Sequence, residues 1–128
     1  MTFSIICVYN NSELLNKMLV ESIKKQKFKD YELLLIDNQK KKYLSASAAL
    51  NYGASISKGD FLVFVHQDVE LISPDYLSLL SSLCKKNNFG IAGVAGMDIK
   101  TRKVFSCVFQ GYNKEIAGTK IDSIKQID

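Results

Sequence analysis

The chain has 128 residues, of which 47% are hydrophobic, and a formal net charge of +4 at pH 7. This length is usual for one globular domain, and no apolar run reaches the roughly 18 residues of a membrane-spanning helix. The modest positive charge suits an anionic ligand or membrane surface. Because aromatic residues are not interleaved with the lysines as a stacking platform requires, we expect no nucleic-acid partner.

The amino terminus and the cysteines indicate a reducing, cytoplasmic setting. Met1 to Ser4 leads directly into a strand-like run, without the basic region and cleavage site of a signal peptide. Cys7, Cys84 and Cys107 have neither zinc-site nor disulfide spacing, and each lies among apolar neighbours. We therefore expect buried free thiols.

The first strand and helix follow each other closely. Phe3 to Val8 is apolar and rich in β-branched residues, which predicts a strand buried on both faces. Asn10 is expected to cap a helix that reaches about Lys27, with Glu13 as its capping-box partner. The apolar residues at helical spacing are Leu14, Leu15, Met18, Leu19 and Ile23.

The same alternation continues to about residue 86. Tyr31 to Ile36 and Phe61 to Val65 are predicted strands, the latter buried, and Ser45 to Ser57 is a helix of small residues between them. Its predicted apolar face comprises Ala46, Ala49, Leu50, Gly53 and Ile56. Ser73 and Pro74 should begin a further helix that reaches about Lys86.

Further strands are predicted at Gly90 to Ala95, Val104 to Phe109 and Lys120 to Ile127, with turns near Gly111 to Asn113 and at Gly118. The alternation of strands and helices predicts an α/β fold with a mostly parallel sheet flanked by helices. Ligands of such sheets bind at the carboxyl ends of the strands.

The ends of the first two strands are polar. The turn Val8-Tyr9-Asn10 lacks the glycine motifs of dinucleotide-binding proteins and P-loop enzymes, and it also lacks the glycine-rich loop of nucleotidyltransferases. Asp37, after the second strand, either accepts hydrogen bonds from a base imide or ribose hydroxyl or serves as a turn residue.

His66 and Asp68 follow the third strand. Because they are two residues apart, both point to one side if the chain stays extended. Together they would hold a divalent cation that bridges a diphosphate. The alternative is that His66 bonds to the backbone and only fixes the loop.

Four segments in order, within about residues 3 to 80, resemble the family 2 glycosyltransferases. Ser4 to Asn11 is similar to the opening strand and Tyr-Asn turn, and Tyr31 to Asn38 to the strand that ends in a base-binding Asp. Ala48 to Asp60 resembles the following helix and turn, and Phe61 to Asp68 the strand with the Asp-x-Asp motif. The first Asp of that motif is a histidine here, as in a branch of the family with His-Gln-Asp-Val.

The resemblance implies a GT-A fold, the Rossmann-like fold of nucleotide-diphospho-sugar transferases, as a single domain over residues 1–128. The nucleotide-sugar-binding residues that it implies are Val8, Tyr9, Asn10, Asp37, Asn51, Gln67 and Asp68. Asp37 would read the base, uracil in a UDP-sugar, and Asn51 would lie near the ribose or diphosphate. Asp68 and His66 would be the ligands of Mn²⁺ or Mg²⁺, although Leu50 stands where the family often has a diphosphate-binding Arg.

The implied function is inverting transfer of a sugar from a nucleotide diphosphate donor to a saccharide, lipid-linked or small-molecule acceptor. The alternative is a catalytically inactive nucleotide-binding module. No catalytic residue is identified, because none of the later acids lies at a helix start that resembles the family's general-base motif; these acids are Asp75, Asp98, Glu115, Asp122 and Asp128. We therefore expect the chain to stop before the acceptor-binding half. Peripheral membrane contact and a homodimer are compatible with this interpretation.

Overall fold

The structure is a computed structural model that describes residues 1–86 with their side chains, and the backbone of residues 96–97 and 104–105. The chain divides into two compact units, Met1–Asn88 and Phe89–Asp128. The first unit holds a parallel three-stranded sheet and the helices that pack on it.

The central strand of this sheet is the most deeply buried. β1 (Phe3–Tyr9) lies between β2 (Tyr31–Asp37) and β3 (Phe61–Phe64), and it pairs in parallel with both. Residues 3–7 of β1 are buried, as expected for an apolar run covered on both faces. The predicted α/β fold with a parallel sheet is therefore confirmed, and the arrangement is consistent with a GT-A-like fold.

The strand order β2-β1-β3 creates a topological switch at β1. The chain crosses from β1 to β2 on one side and then returns past β1 to β3 on the other. The register places Tyr9 beside Asp37 and Ile6 beside Phe64, so the three strands end at the same edge. Crevices at such a switch are the usual ligand sites of open α/β sheets.

A helical segment follows β1. It consists of α1 (Ser12–Leu15), a π-helical turn (Asn16–Val20) and α2 (Glu21–Lys24), so it ends three residues before the predicted Lys27. The predicted cap at Asn10 is wrong. Asn11 is the N-cap, and its side chain accepts the Leu14 N–H at 3.0 Å. The Asn10 side chain instead accepts a hydrogen bond from Gln67, which removes it from capping.

The small-residue helix α3 (Ala46–Ile56) contacts β1 and β2 through its middle turns. Ser45 caps it by accepting the Ala48 N–H at 3.1 Å. Ala49 and Gly53 are buried and Leu50 is half-buried, but Ala46 and Ile56, in the first and last turns, are exposed. The predicted apolar face is therefore too long, because the two end turns do not bury their side chains.

The strand β3 is less buried than its sequence predicts. Phe61 and Val63 are half-buried, whereas Leu62 is 43% and Phe64 52% exposed. Within residues 1–86 this strand pairs only with β1, so one edge and one face lack a neighbour. The expectation of a buried strand is therefore wrong for β3.

The helix α4 (Tyr76–Lys86) begins three residues after the predicted cap Ser73 and ends where predicted. Ser73 still forms the turn before it, since its carbonyl accepts the Tyr76 N–H at 3.3 Å. The buried side chain of Gln26 provides the cap: its Oε1 accepts the Leu77 N–H at 3.1 Å, and its Nε2 donates to the Ser73 carbonyl at 2.8 Å.

The connection between α3 and β3 is fixed at the opposite edge of the sheet from the strand ends. The Ser4 hydroxyl donates a hydrogen bond to the Glu32 carboxylate and accepts one from the Gly59 N–H at 2.8 Å. The backbone of Gly59 therefore lies close to that of Ser4. A Cβ at Gly59 would come within 2.6 Å of the Ser4 amide nitrogen. The Lys58 N–H also donates to Glu32, and these two hydrogen bonds lower the pKa of the Glu32 carboxyl.

In the second unit, β4 (Gly96–Met97) pairs antiparallel with β5 (Val104–Phe105). The predicted strand Gly90 to Ala95, the remainder of Val104 to Phe109, and Lys120 to Ile127 lie outside the described residues, as does Cys107. Cys7 and Cys84 are buried free thiols, as predicted. Among the described residues no helix has both the length and the apolar character needed to cross a membrane.

Candidate functional site

A cavity of about 350 Å³ lies at the carboxyl ends of β1 and β3. It is open to solvent and within the size range of small-molecule sites. Its lining combines the residues that end these two strands with residues of the loop after β2 and of α3: Val8, Tyr9, Asn10, Asn38, Ala46, Leu50, Phe64, Val65, His66, Gln67 and Asp68. The cavity thus occupies the switch point of the sheet.

Six of the eight predicted site residues line this cavity, and Asp37 and Asn51 do not. Asp37 lies next to it, beside Tyr9 in the sheet register. Asn51 is exposed on α3. Successive residues of a helix are rotated by about 100° around its axis. Because Ala49 and Gly53 are on the buried side of α3, Asn51, two residues from each, lies on a different side.

The Asp37 carboxylate is held in place by its own turn. It accepts the Gln39 N–H at 2.8 Å and the Gln39 side-chain N–H at 3.3 Å. Burial, the charge of Asp37 and a hydrogen bond to Asp37 together raise the pKa of the Tyr9 hydroxyl. The turn interpretation of Asp37 is therefore present in the structure, and the exposed carboxylate is also fixed beside the cavity wall as a hydrogen-bond acceptor.

The basic loop after β2 is closed by Asn38. Its Oδ1 accepts the Tyr43 N–H at 2.8 Å, and its Nδ2 donates to the Tyr43 carbonyl at 3.3 Å. Lys41 has a left-handed backbone, with φ of 53°. The Lys42 ammonium lies 5.3 Å from the ring centre of Tyr43 and 5.7 Å from that of Tyr52, within cation–π range. These two hydrogen bonds and two cation–π contacts order the loop beside Asp37.

The loop after β3 presents His66 and Asp68 to the cavity. Both side chains are exposed and Gln67 between them is half-buried, so the strand's alternation continues past its end. Gln67 turns back toward β1: its Oε1 accepts the N–H groups of Asn10 and Asn11, each at 3.0 Å. Its Nε2 donates to the Asn10 Oδ1 at 2.8 Å.

Comparison with known protein families gives one decisive observation: a model of the glycosyltransferase-like family matches residues 4–118. The chain belongs to this glycosyltransferase-like family. A comparison with curated proteins gives no match, and neither does a comparison with solved structures. The resemblance to family 2 glycosyltransferases is thus confirmed at the level of the family, whereas membership of the branch with His-Gln-Asp-Val stays a prediction.

The Asp68 carboxylate, which lines the cavity of this glycosyltransferase-like domain, also influences the pKa of the Cys7 thiol in β1. Burial, and secondarily the negative charge of Asp68, raise the pKa of Cys7 to about 11. The Cys7 thiol is therefore protonated at neutral pH and is not a nucleophile. Asp68 is the one carboxylate among the side chains that line the cavity.

The two predicted metal ligands, His66 and Asp68, both line the cavity. Among the described residues no group of three or more His, Cys, Asp or Glu side chains is arranged to hold a metal. An ion such as Mg²⁺, however, keeps several waters and is bound by one or two carboxylates plus phosphate oxygens. Asp68 provides one such carboxylate at the cavity wall, with the His66 side chain nearby in the same lining; metal binding by these two residues stays a prediction.

Two features of the site escaped the sequence analysis of this glycosyltransferase-like chain. Asn38 was not singled out, although it closes the basic loop and lines the cavity. The packing of Tyr43 and Tyr52, whose ring centres are 5.7 Å apart, was also not anticipated. A signal existed for Asn38, because an Asn after a strand commonly bonds to nearby backbone.

Proposed function

We propose that this glycosyltransferase-like domain binds the nucleotide diphosphate of a UDP-sugar in the cavity and takes part in inverting transfer of that sugar to an acceptor hydroxyl. The observation that carries the proposal is the cavity at the switch of the sheet, which joins the end of β1 to Asp68 and His66. A family match over residues 4–118 supports transfer of a sugar rather than other nucleotide chemistry.

The uracil end of the donor is assigned to Tyr9 and Asp37. Uracil carries one imide N–H, for which an exposed carboxylate is a strong acceptor. The Asp37 carboxylate accepts two hydrogen bonds from Gln39, which orient it before the base binds and so lower the cost of ordering it. Base recognition therefore rests on a group that the turn has already oriented.

The diphosphate end is assigned to the loop after β3. Asp68 and His66 would hold Mn²⁺ or Mg²⁺, and such a cation neutralises the charge on the departing nucleotide. The side chains themselves bind and orient: Asp68 offers carboxylate oxygens, and His66 offers a ring nitrogen from the same wall. The acceptor would be a saccharide, a lipid-linked sugar or a small molecule, approaching from the open mouth of the cavity.

One observation favours the second candidate, a nucleotide-binding module without catalysis. Inverting transfer requires a general base near the acceptor hydroxyl, and Asp68 is the one carboxylate among the residues that line the cavity. If Asp68 binds the cation, the described residues supply no second cavity-lining acid as the base. Release of free sugar from a UDP-sugar by the purified chain would favour the enzyme, and its absence together with EDTA-insensitive UDP binding would favour the module.

A thermal-shift titration with UDP and MnCl₂ tests the proposal. Ligand at 100 times its Kd stabilises a folded chain by about 2.7 kcal/mol, which raises the Tm of a domain this size by about 10 °C. We expect this shift for the wild type and its loss in Asp37→Asn and Asp68→Asn. The matched control is Asp75→Asn, since Asp75 is an exposed carboxylate paired with Lys27 away from the cavity.

The control should shift as the wild type does. An unchanged Tm of the wild type with UDP, GDP, ADP and CDP, each with Mn²⁺, would contradict donor binding. Equal shifts in Asp37→Asn and the wild type would contradict the assignment of the base.

A further inference from the structure

The side chain of Gln67 bridges the two loops, after β1 and after β3, that both line the cavity. Gln67 follows β3, and its three hydrogen bonds all go to Asn10 and Asn11, which follow β1. The bonded residues are 56 and 57 positions apart in sequence. Because β1 and β3 are adjacent strands, these bonds extend the sheet's cross-links beyond its last backbone pairing at the edge where the cavity opens.

The amide of Gln67 has little capacity left for a ligand. A glutamine amide accepts two hydrogen bonds at its oxygen and donates two from its nitrogen. The Asn10 and Asn11 N–H groups occupy both acceptor positions of Oε1, and the Asn10 side chain takes one of the two N–H donors. These three bonds leave one N–H donor of the amide, and a ligand that donated to Oε1 would have to break a bond that holds the loops together.

Both loops contribute to the proposed donor site. Tyr9 and Asn10 line the cavity from the end of β1, and His66 and Asp68, the chain neighbours of Gln67, line it from the loop after β3. Within this loop pair a shift of the β3 end moves the proposed diphosphate ligands relative to the proposed nucleotide pocket. Binding sites lose affinity when the groups that position their contacts are removed, because order must then be restored on binding.

We infer that Gln67 is a positioning residue that fixes the spacing between the loop after β1 and the loop after β3, instead of contacting the donor as the family resemblance implies. This inference rests on the proposed function, because the donor is what the spaced loops would bind. Gln67 is assigned no role in proton transfer or in bond making.

Calorimetric titration of the whole chain with UDP and MnCl₂ tests this role. We expect Gln67→Met, which keeps the side-chain length and removes the amide, to weaken UDP binding about tenfold, equivalent to about 1.4 kcal/mol. Amide hydrogen exchange at Asn10 and Asn11 should also become faster in the ligand-free variant, because both N–H groups lose their acceptor.

The matched control is Gln26→Met. Gln26 is a second glutamine whose amide joins two elements, but it joins the end of α2 to the start of α4 and does not line the cavity. We expect this variant to lower the Tm at least as much as Gln67→Met while leaving UDP affinity within twofold of the wild type. The UDP affinities of the two variants therefore distinguish loss of site positioning from loss of overall stability.

A double-mutant cycle separates positioning from direct contact. If Gln67 acts through the loop after β1, Gln67→Met and Asn10→Ala should weaken UDP binding together by less than the product of their separate effects. A full product, together with unchanged hydrogen exchange of the Asn10 and Asn11 amides in Gln67→Met, would show that Gln67 acts on the ligand independently of the loop after β1 and would overturn the inference. So would wild-type UDP affinity in Gln67→Met.

Failure of the inference and failure of the proposed function give different results. If the wild type and Gln67→Met bind UDP equally well, only the positioning role of Gln67 is refuted. If the wild type binds no nucleotide, the proposed donor site is refuted, and the inference that depends on it is refuted as well. If Gln67→Met does not fold, Gln67→Asn, whose shorter amide does not reach both N–H groups, provides the same comparison.

Discussion

Replacement of Gly53 by alanine perturbs the contact through which α3 packs on the sheet. A Cβ at this position would lie 2.5 Å from the Ile6 Cγ2 and 3.4 Å from the Ile36 Cγ1. Ile6 is fully buried in the central strand, so its methyl group has no free space into which to move. The helix must therefore shift away from β1 to relieve this contact.

The magnitude follows from two opposing effects. Overpacking of a well-packed core costs about 1 to 3 kcal/mol, whereas alanine is a better helix former than glycine by about 1 kcal/mol. Since the added atom meets the Ile6 methyl well inside van der Waals contact, we place the cost in the upper part of that range. The net expectation is a free energy of unfolding lowered by about 1 to 2 kcal/mol.

Urea unfolding followed by circular dichroism measures this change. With a typical m-value of about 2 kcal/mol per molar urea, the midpoint should fall by about 0.5 to 1 M. Ser47→Ala is the matched control, because Ser47 is an exposed residue of the same helix, and its midpoint should stay within about 0.3 M of the wild type. Ile6→Ala should make the added effect of Gly53→Ala smaller, since the clashing methyl is gone. A Gly53→Ala chain as stable as the wild type would refute the close approach of α3.

Three further predictions concern stability and reactivity. Gln26→Ala leaves the Leu77 N–H without its acceptor, so we expect unfolding free energy to fall by about 2 to 3 kcal/mol in urea titration; a loss below about 0.5 kcal/mol would contradict the capping role. The pKa of Glu32 is lowered in the folded chain by its hydrogen bonds to Ser4 and to backbone, so its stabilising effect exists above the unfolded-state pKa and is lost as pH falls through the folded-state pKa. The urea midpoint should therefore drop less steeply from pH 7 to pH 3 in Glu32→Gln than in the wild type. Parallel curves for the two chains would contradict a contribution of the Glu32 carboxylate to the pH dependence of stability. Cys7, whose pKa is raised to about 11 by burial and Asp68, should resist thiol reagents at pH 8 until urea unfolds the chain; peptide mapping that finds Cys7 labelled in the folded chain would disprove its burial.

Elements whose residue pattern fits only one type of secondary structure and packing were predictable from the sequence. Residues 3–8 have no polar break apart from Ser4, and the strand that forms there is buried as expected. The small residues around Gly53 predicted close packing on the sheet, and the structure has it. The meeting of strand ends at one edge also followed from the alternation of strands and helices, because parallel strands finish on the same side.

The errors arose where local chemistry allows two outcomes. Asn10 and Asn11 are equally suited to capping, and a partner 57 residues away in sequence, Gln67, decides between them. The apolar run of β3 resembles that of β1, but burial depends on which faces have neighbours, a property of the sheet and not of the strand. The hydrogen bonds of Gln67 could not be predicted because an amide bonds equally well to a ligand or to backbone.

The most direct test of donor binding in the cavity is an NMR titration of the isotopically labelled wild-type chain with UDP and Mg²⁺. We predict that the amide signals with the largest shifts belong to Tyr9, Asn10, Asn38 and Asp68, which line or adjoin one cavity. Signals from the opposite edge of the sheet, such as that of Lys58, should stay in place. Saturable shifts confined to residues away from the strand ends, or no shifts at millimolar UDP, would contradict the account.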